Sequence, residues 1–454
     1  MVKPPPPLSV DALRKAVEAG EIDSVVVAFT DMQGRLQGKV IHAPFFLDEV
    51  LPHGTEGCNY LLAVDVEMNT VPGYAISSWE RGYGDMEFVL DLDTLRRIPW
   101  QPGTAMVQCD LGWLDAERSP VAESPRSILK AQAVKAAEQG FEALAGTELE
   151  FIVFDDTYEN AWNSAYRELT PSNQYNVDYS LLGTNRLGPL LRDIRNGMHA
   201  AGFTVESVKG ECNLGQHEIA FRYAEVVRTA DQHAVYKNGA KEIAAQHGKA
   251  LTFMAKFNER EGNSCHMHMS LRGTDGTFVF DEGNGPTKTF DSFLAGVQLT
   301  LPELTLLYAP NVNSYKRFQP GSFAPTAVAW GRDNRTCALR VVGHGAGLRV
   351  ENRVPGGDMN PYLGLAGMLA GGLYGIENEL PLEPALEGNA YTSDKPHVPS
   401  TLRDARDAFA ESAIARAAFG DAVVDHYVNA ADVELLAYNA AVTDWERFRG
   451  FERL

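Results

Sequence analysis

Glu148 and Glu150 stand on either side of one leucine at the start of the apolar run LEFIVF. The run predicts a β-strand, in which residues two apart point to the same face, so both carboxylates should project together. Two like charges held this close repel each other unless a cation lies between them. The spacing therefore indicates a metal site, although a solvated strand edge would show the same pattern.

Two further pairs extend this pattern. His266 and His268 in CHMHMSL again have a period of two on a predicted strand. A single histidine is commonly a structural residue, as we expect for His217, but two on one face favour a functional site. Glu211 and Glu218 flank the glycine-containing turn of ECNLGQHE. This last pair is weak by itself, because surface loops often carry two acidic residues at such a spacing.

A series of arginines follows in the C-terminal half of the chain. Arginine is suited to forked binding of carboxylate and phosphate groups. Glu351 lies two residues from each of two arginines, so along a strand the three would share a face. Surface salt bridges could explain any one arginine, whereas the group indicates a site for a polyanion such as ATP beside an acidic substrate. The series is Arg317, Arg335, Arg340, Arg349 and Arg353.

Together these residues could carry phosphoryl-transfer chemistry. Oxygen ligands with one imidazole suit Mg²⁺ or Mn²⁺ rather than a structural zinc. Two such ions and the arginines would neutralise the charge that develops when a γ-phosphoryl group is transferred. The sequence has no G-x-x-x-x-G-K-[ST] loop, so we expect ATP to be held in another way. The carboxylates are Glu148, Glu150, Glu211, Glu218 and Glu351.

The composition restricts the class of protein. A chain of 454 residues is too long for one compact core, which predicts two domains or more. Sixty acidic against 40 basic residues give a net charge of -20, which disfavours nucleic-acid and membrane partners and fits cations or amines. The five scattered cysteines form no CxxC pair, and the N-terminus lacks the apolar segment of a signal peptide. We therefore expect a cytoplasmic protein.

The elements that must position the site can be outlined from patterning. A β-hairpin is predicted over 22–41, and the polar stretch 115–123 is the best candidate for a linker. Ser124 and Pro125 then predict the start of a helix. Beyond it, strand-like and helical runs alternate, which predicts an α+β unit with many antiparallel strands. We predict an N-terminal tail over 1–17, a first domain over 18–113 and a larger domain over 118–454.

These motifs, in this order, resemble the glutamine synthetase family over nearly the whole chain. They are VVVAFTDMQGRLQGKVI, GDMEFVLDLDTLRRIPW, GTELEFIVF, GECNLGQHEI, GNSCHMHMSL, NSYKRFQPGSFAP, NRTCALR and VENRVPGGDMNPYL. The resemblance implies an α+β fold with an N-terminal β-grasp domain and a catalytic domain built on a curved antiparallel sheet. It also implies a homo-oligomer, usually a dodecamer of two stacked hexameric rings, with active sites between neighbours.

The resemblance also implies roles for individual residues. One metal ion would be held by Glu150, Glu211 and Glu218, and the other by Glu148, His266 and Glu351. Glutamate would be bound by Glu150, Arg317, Arg353 and the backbone around Gly262. ATP and its phosphates would contact Glu206, His268, Ser270, Arg335, Arg340 and Arg349. The residues implied to act in catalysis are Asp65, Glu211 and Arg335. In the implied reaction, ATP phosphorylates the γ-carboxylate of glutamate, and a nitrogen nucleophile then displaces phosphate to give an amide.

One departure from the family concerns the nucleophile. The segment PGSFAP has Phe323 where glutamine synthetases carry a glutamate that binds ammonium. Phenylalanine cannot bind a cation in that way, so we expect a larger amine, with Asp65, Glu67, Tyr179 and Phe323 on the amine side. The motifs are most similar to those of actinobacterial γ-glutamylpolyamine synthetases, which predicts putrescine, cadaverine, spermidine or spermine as substrate.

Other substrates and one other class of protein stay open at this point. An enzyme that uses ethanolamine, another monoamine or ammonia would need the same chemistry. It would differ only in the shape of the pocket that binds the amine. A non-catalytic oligomeric scaffold of the same fold would be expected to lose metal ligands, and all six are present. The segment NAYTSD around Tyr391 lacks the pattern expected for regulatory adenylylation.

Overall fold

The computed structural model describes residues 3–454, and the strands of this part of the chain form two sheets. The strands of the first sheet are β1 (Ser24–Thr30), β2 (Leu36–His42), β3 (Thr55–Cys58), β4 (Asp85–Arg97) and β5 (Thr104–Trp113). Their order is β2-β1-β5-β4-β3, with β1 and β5 parallel and the other neighbours antiparallel. The predicted hairpin is therefore formed by β1 and β2. Its turn is held by Asp31, whose carboxylate accepts hydrogen bonds from the backbone N–H groups of Gln33 and Arg35.

The second sheet is larger and carries the candidate site. Its strands are β6 (Phe141–Phe154), β7 (Val205–Gly210), β8 (Gln216–Phe221), β9 (Ala224–Glu225), β10 (Ala250–Thr252), β11 (Cys265–Gly273), β12 (Trp330–Arg332), β13 (Leu339–Val342) and β14 (Arg349–Asn352). The main order is β12-β13-β14-β11-β6-β8-β7, and the short strands β9 and β10 pair with β6. All pairs are antiparallel except β12 with β13.

The α-helices of the described chain cover the sheets. They are α1 (Val10–Glu18), α2 (Ala43–Phe45), α3 (Leu51–His53), α4 (Pro125–Glu138), α5 (Tyr158–Asn163), α6 (Leu181–Arg186), α7 (Gly188–Ala200), α8 (Val226–Gln246), α9 (Lys288–Thr300), α10 (Thr305–Tyr308), α11 (Pro361–Glu377), α12 (Leu402–Glu411), α13 (Ala413–Phe419), α14 (Asp421–Ala440) and α15 (Asp444–Gly450). No helix within residues 3–454 combines the length and the apolar character that crossing a bilayer requires.

The apolar, glycine-rich run at 362–376 lies in the buried helix α11. It packs closely against α9, and a Cβ atom on Gly375 would lie 2.0 Å from the carbonyl oxygen of Ser292 and 2.7 Å from the Cα atom of Gly296. Such distances are far inside van der Waals contact, so the two helices can approach this closely only because glycine lacks a side chain. The glycines therefore serve helix packing.

The N-terminal segment differs from the predicted tail over 1–17. Helix α1 occupies most of its second half, capped by Ser9, whose hydroxyl accepts a hydrogen bond from the N–H of Ala12. Leu13 and Ala16 lie one turn apart and are buried, which anchors the helix by its apolar face. The run of prolines favours a tail, and the helix that follows it has only nine residues, so its signal in the sequence is weak.

The α+β fold class is confirmed. The first sheet, with its central parallel pair, agrees with a β-grasp domain, and helix α4 begins at Pro125 as predicted. Ser124 has the extended backbone of an N-cap residue, but its side chain makes no capping hydrogen bond. The exact domain limits stay a prediction.

Candidate active site

The predicted site residues form a row across one face of the second sheet. Strand register pairs Arg340 on β13 with Glu351 on β14, and Glu351 with His268 on β11. On the next strands, His266 pairs with Glu148 of β6, while Glu150 pairs with Glu218 of β8. Segments far apart in the sequence thus bring their polar side chains together because the strands that carry them are neighbours.

Glu150, Glu211 and Glu218 form the first carboxylate group of this row. Each can offer one oxygen so that the three oxygens lie within 4.8 Å of one another. Glu150 and Glu218 are buried and Glu211 is half-buried. Three carboxylates at this separation suit a hard divalent cation, which accepts oxygen ligands and offsets their mutual repulsion.

Neutral donors fix the orientation of Glu150. Its Oε2 atom accepts hydrogen bonds from Nε2 of Gln216 at 3.0 Å and from the backbone N–H of Ser264 at 2.7 Å. The same amide of Gln216 also donates to the carbonyl oxygen of Gly262 and to Oδ1 of Asn263. Gln216 thus connects the carboxylate group to the loop before β11. Sequence reasoning missed Gln216 because a neutral amide carries no charge signal.

The second group contains Glu148, Glu351 and both histidines. Oxygens of Glu148 and Glu351 and a nitrogen of His268 lie within 4.8 Å of one another. The Nδ1 atom of His266 is 3.2 Å from Glu148 and 3.6 Å from Glu351. Nε2 of His266 is buried and has no hydrogen-bond partner within the described chain. The predicted ligands therefore lie together, with His268 as close to Glu148 as His266 is.

The charges of these groups perturb one another. Burial and then the charge of Glu148 raise the pKa of Glu218, although Lys209 opposes them. Burial acts to raise the pKa of Glu148 too, but its contacts with His266 and His268 outweigh burial and the pKa is lowered. Burial also opposes ionisation of Glu351, and His266 and Arg353 hold its pKa below the ordinary value. The donor sets and their charge fit two divalent cations.

Buried Arg353 and half-buried Arg340 lie beside the second group. Arg353 donates to Glu351 at 2.6 Å, and Arg340 donates to the other oxygen of the same carboxylate at 2.9 Å. Arg317 is buried, donates to the carbonyl oxygens of Val354 and Arg353, and leaves its Nε–H unpaired within the described chain. Buried guanidinium groups with a free donor suit a substrate carboxylate.

Gly262 lies directly against Arg317. A Cβ atom at this position would lie 2.8 Å from Cγ of Arg317 and 2.1 Å from the carbonyl oxygen of Ala255. Only glycine therefore allows the loop to pass this close to the arginine. The structure brings together Gly262, Arg317 and Glu150, three of the residues implied to bind glutamate.

Four residues implied to bind ATP line one cavity of about 310 Å³. The cavity lies against β6, β8 and β11 and also contains aromatic side chains that could contact a base. Arg340 opens onto a neighbouring cavity that shares Glu148, His268 and Arg349 with it. The four residues of the first cavity are Glu206, His268, Ser270 and Arg349. Arg335 is exposed and lines neither of these two cavities, so its role stays a prediction.

The residues expected on the amine side are divided between two places. Asp65 caps a turn by accepting hydrogen bonds from the backbone of Glu67 and Asn69, and it lines a different cavity. Tyr179 and Phe323 are exposed, both with left-handed backbone, at φ 52° and 56°. The carbonyl oxygen of Phe323 lies 3.5 Å from Nη2 of Arg353. A single chain thus brings Phe323 to the arginines but leaves Asp65 and Glu67 apart.

Lys209 is a second residue that sequence reasoning missed. It lies on β7, pairs with Glu218 in register and contacts Glu211 with its ammonium group. The spacing Lys-Gly-Glu at 209–211 was a usable signal, because it has the same period of two as the glutamates and histidines.

The comparisons with known proteins agree with this geometry. Residues 122–449 match the family model of the glutamine synthetase catalytic domain. The chain is 65% identical over 449 residues to a γ-glutamylethanolamide synthetase of Streptomyces coelicolor, covering 99% of this chain and 97% of the relative. It is 36% identical to a glutamate–isopropylamine ligase of a Pseudomonas species, covering 96% of each chain. A solved structure of GmaS without ligand superposes with a TM-score of 0.85 at 26% identity, covering 98% of this chain and 99% of that one.

The match spans most of the catalytic unit, and the relatives cover almost the full length of the chain. Enzymes of this family use ATP and divalent metal ions, and the two groups of carboxylates and histidines could hold such ions. The chain therefore belongs to the glutamine synthetase family and is an ATP-dependent glutamate–amine ligase.

Proposed function

We propose that this ligase joins the γ-carboxylate of glutamate to ethanolamine through γ-glutamyl phosphate. The observation that carries the proposal is the 65% identity, over 99% of the chain, to a protein named as a γ-glutamylethanolamide synthetase. The second relative is named for isopropylamine, which is also a small monoamine. The polyamine interpretation rests on the similarity of the sequence motifs alone. It stays a prediction, and the panel of amines described below tests it together with the proposal.

The surroundings of Phe323 support an organic amine over ammonium. The residue is 57% exposed, and its carbonyl oxygen lies near Arg353, one of the arginines implied to bind glutamate. An exposed aromatic residue next to an arginine implied to bind glutamate can pack against a carbon chain. It offers no negative charge to a small cation. This environment favours an uncharged nucleophile that carries its own apolar atoms.

The chemistry needs an activated carboxylate, because a carboxylate ion is a poor acylating agent. In the first step an oxygen of the γ-carboxylate attacks the γ-phosphorus of ATP, and ADP leaves. In the second step the neutral amine nitrogen attacks the acyl carbon, the bond to the phosphate oxygen breaks, and the nitrogen loses a proton. Divalent ions held by the two ligand groups would neutralise phosphate charge. Arg317 and Arg353 would orient glutamate, and Arg340 would face the transferred phosphoryl group.

The proposal is tested by measuring phosphate release from ATP and glutamate with a panel of amines. The panel contains ethanolamine, isopropylamine, putrescine, cadaverine, spermidine, spermine and ammonium. We expect the highest kcat/KM with ethanolamine. A higher value with a polyamine would support the polyamine interpretation instead. Fastest turnover with ammonium would contradict an altered nucleophile, and no turnover with any amine would favour a scaffold.

Replacing Phe323 tests its part in this selection. Phe323→Glu should raise kcat/KM for ammonium relative to ethanolamine by about tenfold, because a carboxylate attracts ammonium and removes the apolar wall. The matched control is Phe323→Leu, which keeps an apolar side chain and should leave the ratio within about threefold of the wild-type value. If the ratio of kcat/KM for ammonium to that for ethanolamine were the same in both variants, Phe323 would not determine the choice of amine.

A further inference from the structure

Lys209 holds its ammonium group among the carboxylates of the first ligand group. It contacts Oε1 of Glu211, and its Nζ atom is 3.6 Å from Oε2 of Glu218. Strand register explains this position, because Lys209 on β7 lies directly opposite Glu218 on β8. The side chain is 27% exposed, so the contact is partly shielded from water.

Within residues 3–454, Lys209 is the only cationic side chain within 4.0 Å of a carboxylate oxygen of Glu150, Glu211 or Glu218. Glu150 is held instead by the neutral amide of Gln216 and a backbone N–H. At contact distance, the mutual repulsion of the three carboxylates is therefore offset by one cationic side chain of the described chain. An ammonium group and a divalent ion cannot occupy the same position between these oxygens.

We propose that Lys209 is a built-in counter-cation that a divalent metal ion must displace from Glu211 and Glu218. This inference rests on the proposed function, since it concerns the same ligand group. Displacement costs the lysine its ion pairs, so Lys209 weakens metal binding at this group. Its effect on the group of Glu148, Glu351 and the histidines should be smaller, because it makes no ion pair there within residues 3–454.

The ammonium group also has a contact that does not involve the carboxylates. Nζ of Lys209 lies 5.3 Å from the ring centroid of Tyr179, within the range of a cation–π interaction. Tyr179 is exposed and its N–H donates to the carbonyl oxygen of Gly210, next to Lys209 in the chain. The four-carbon side chain can thus turn toward the aromatic face when a metal ion takes the carboxylates.

The test is Mn²⁺ binding to the purified protein without nucleotide or substrates, measured by calorimetry and by the electron paramagnetic resonance signal of free Mn²⁺. Lys209→Met should tighten one class of binding site by about tenfold, because a positive charge next to the ion has been removed. Lys209→Arg keeps the charge and should bind Mn²⁺ as weakly as the wild type. The second class of site serves as an internal reference and should change by much less.

Lys249→Met is the matched control. Lys249 pairs with Asp155 at 2.5 Å, outside the site, and its side chain is 27% exposed, as is that of Lys209. This control should leave both classes of Mn²⁺ site unchanged. Lys209→Gln provides a second neutral variant if the methionine variant does not fold, and circular dichroism compares the folded states.

The outcomes separate the inference from the proposed function. Equal Mn²⁺ affinity in wild type, Lys209→Met and Lys209→Gln would overturn the counter-cation role and leave the metal site intact. Tighter binding in Lys209→Arg would overturn it as well, since the charge is kept there. Absence of Mn²⁺ binding in every variant would overturn the inference together with the metal sites on which the proposed function depends.

Discussion

Glu150 illustrates how a single side chain is prepared for its role. A carboxylate on an apolar strand would ordinarily be costly to bury, yet Glu150 is buried beside two other glutamates. Hydrogen bonds from Gln216 and from the N–H of Ser264 compensate part of this cost and fix the position of Oε2. The other oxygen is left for a ligand. The neutral donors matter because they hold the carboxylate without neutralising it.

The first prediction concerns Gln216. Gln216→Leu removes its hydrogen bonds to Glu150, Gly262 and Asn263 at once. We expect Mn²⁺ affinity to fall and the KM for glutamate to rise, each by about tenfold or more, as for other residues that orient metal ligands. Calorimetry with Mn²⁺ and steady-state kinetics measure these two effects separately.

A matched variant distinguishes positioning from general destabilisation. Gln132 is also buried and donates to a carbonyl oxygen, that of Ala418, far along the chain from the site residues. Gln132→Leu should lower thermal stability without changing the KM for glutamate. The positioning role of Gln216 would be contradicted if both variants lost stability and neither changed metal affinity or KM.

The sequence predicted the charged residues of the site better than their supports. Glu148, Glu150, His266 and Glu351 were accessible because a period of two on a strand reports a shared face. The role of Gln216 could not be predicted from the sequence, because its hydrogen-bond partners come from other segments and a neutral amide carries no charge. The left-handed backbone of Phe323 could not be predicted either, because that conformation is usually adopted by glycine or asparagine.

At the scale of elements, the two sheets are joined by a buried ionic cluster around Arg126 on α4. Its guanidinium donates to Asp91 on β4 and Asp110 on β5, both at 2.6 Å, and in forked fashion to Asp231 on α8 at 2.9 Å. The hydroxyl of Tyr362 on α11 donates to the same Asp231. One arginine therefore connects strands of the first sheet with three helices of the catalytic unit.

Arg126→Met tests this connection. The substitution leaves Asp231 buried without its guanidinium partner and removes a cation from half-buried Asp91. Asp110 keeps its ion pair with Lys130. Because one carboxylate is left buried and unpaired, we expect a loss of about 3–5 kcal/mol in the free energy of unfolding. Urea unfolding at fixed protein concentration measures it. Arg406, which pairs with Asp432 nearer the surface, is the control, and Arg406→Met should cost less than about 1 kcal/mol. Similar losses in both variants would show that the cluster does not hold the two units together.

The order of the strands in the second sheet could not be predicted from the sequence pattern. Strand character was predicted for β6, β8 and β11, but the order β14-β11-β6-β8-β7 depends on long-range pairing. That order is what brings Glu351, the histidines and Glu218 into one row. Glu148 and His266, for example, are 118 positions apart in the chain, yet they pair directly across β6 and β11. Periodicity within one strand carries no information about which distant strand will become its neighbour.

At the scale of the whole molecule, the position of Asp65 bears on the predicted assembly. The resemblance implies that Asp65 acts on the amine, yet in a single chain it lines a cavity that contains none of the residues assigned to metal, glutamate or ATP. A ring of identical chains would resolve this by placing the Asp65 of one chain at the site of its neighbour. Exposed aromatic side chains near the C-terminus, Trp445, Phe448 and Phe451, also support association, because such surfaces are usually covered by a partner.

Mixed oligomers test whether sites lie between neighbours. Asp65→Asn and Glu218→Gln chains should each be nearly inactive alone, since each lacks one part of every site. The two variants are co-expressed and purified through two different tags. A site between neighbours then needs an intact Glu218 from one chain and an intact Asp65 from the next, and each is present in half of the chains. About a quarter of wild-type activity per site should therefore be recovered. Sites contained within one chain would give no recovery, since every chain carries a defect.

Mixing the double variant with wild-type chains provides the control for this experiment. Sites between neighbours again give about a quarter of wild-type activity per site, whereas sites within one chain give about half, because half of the chains are then complete by themselves. Full activity of Asp65→Asn alone would show that the reaction does not need Asp65, and the position of Asp65 would then give no support for a ring.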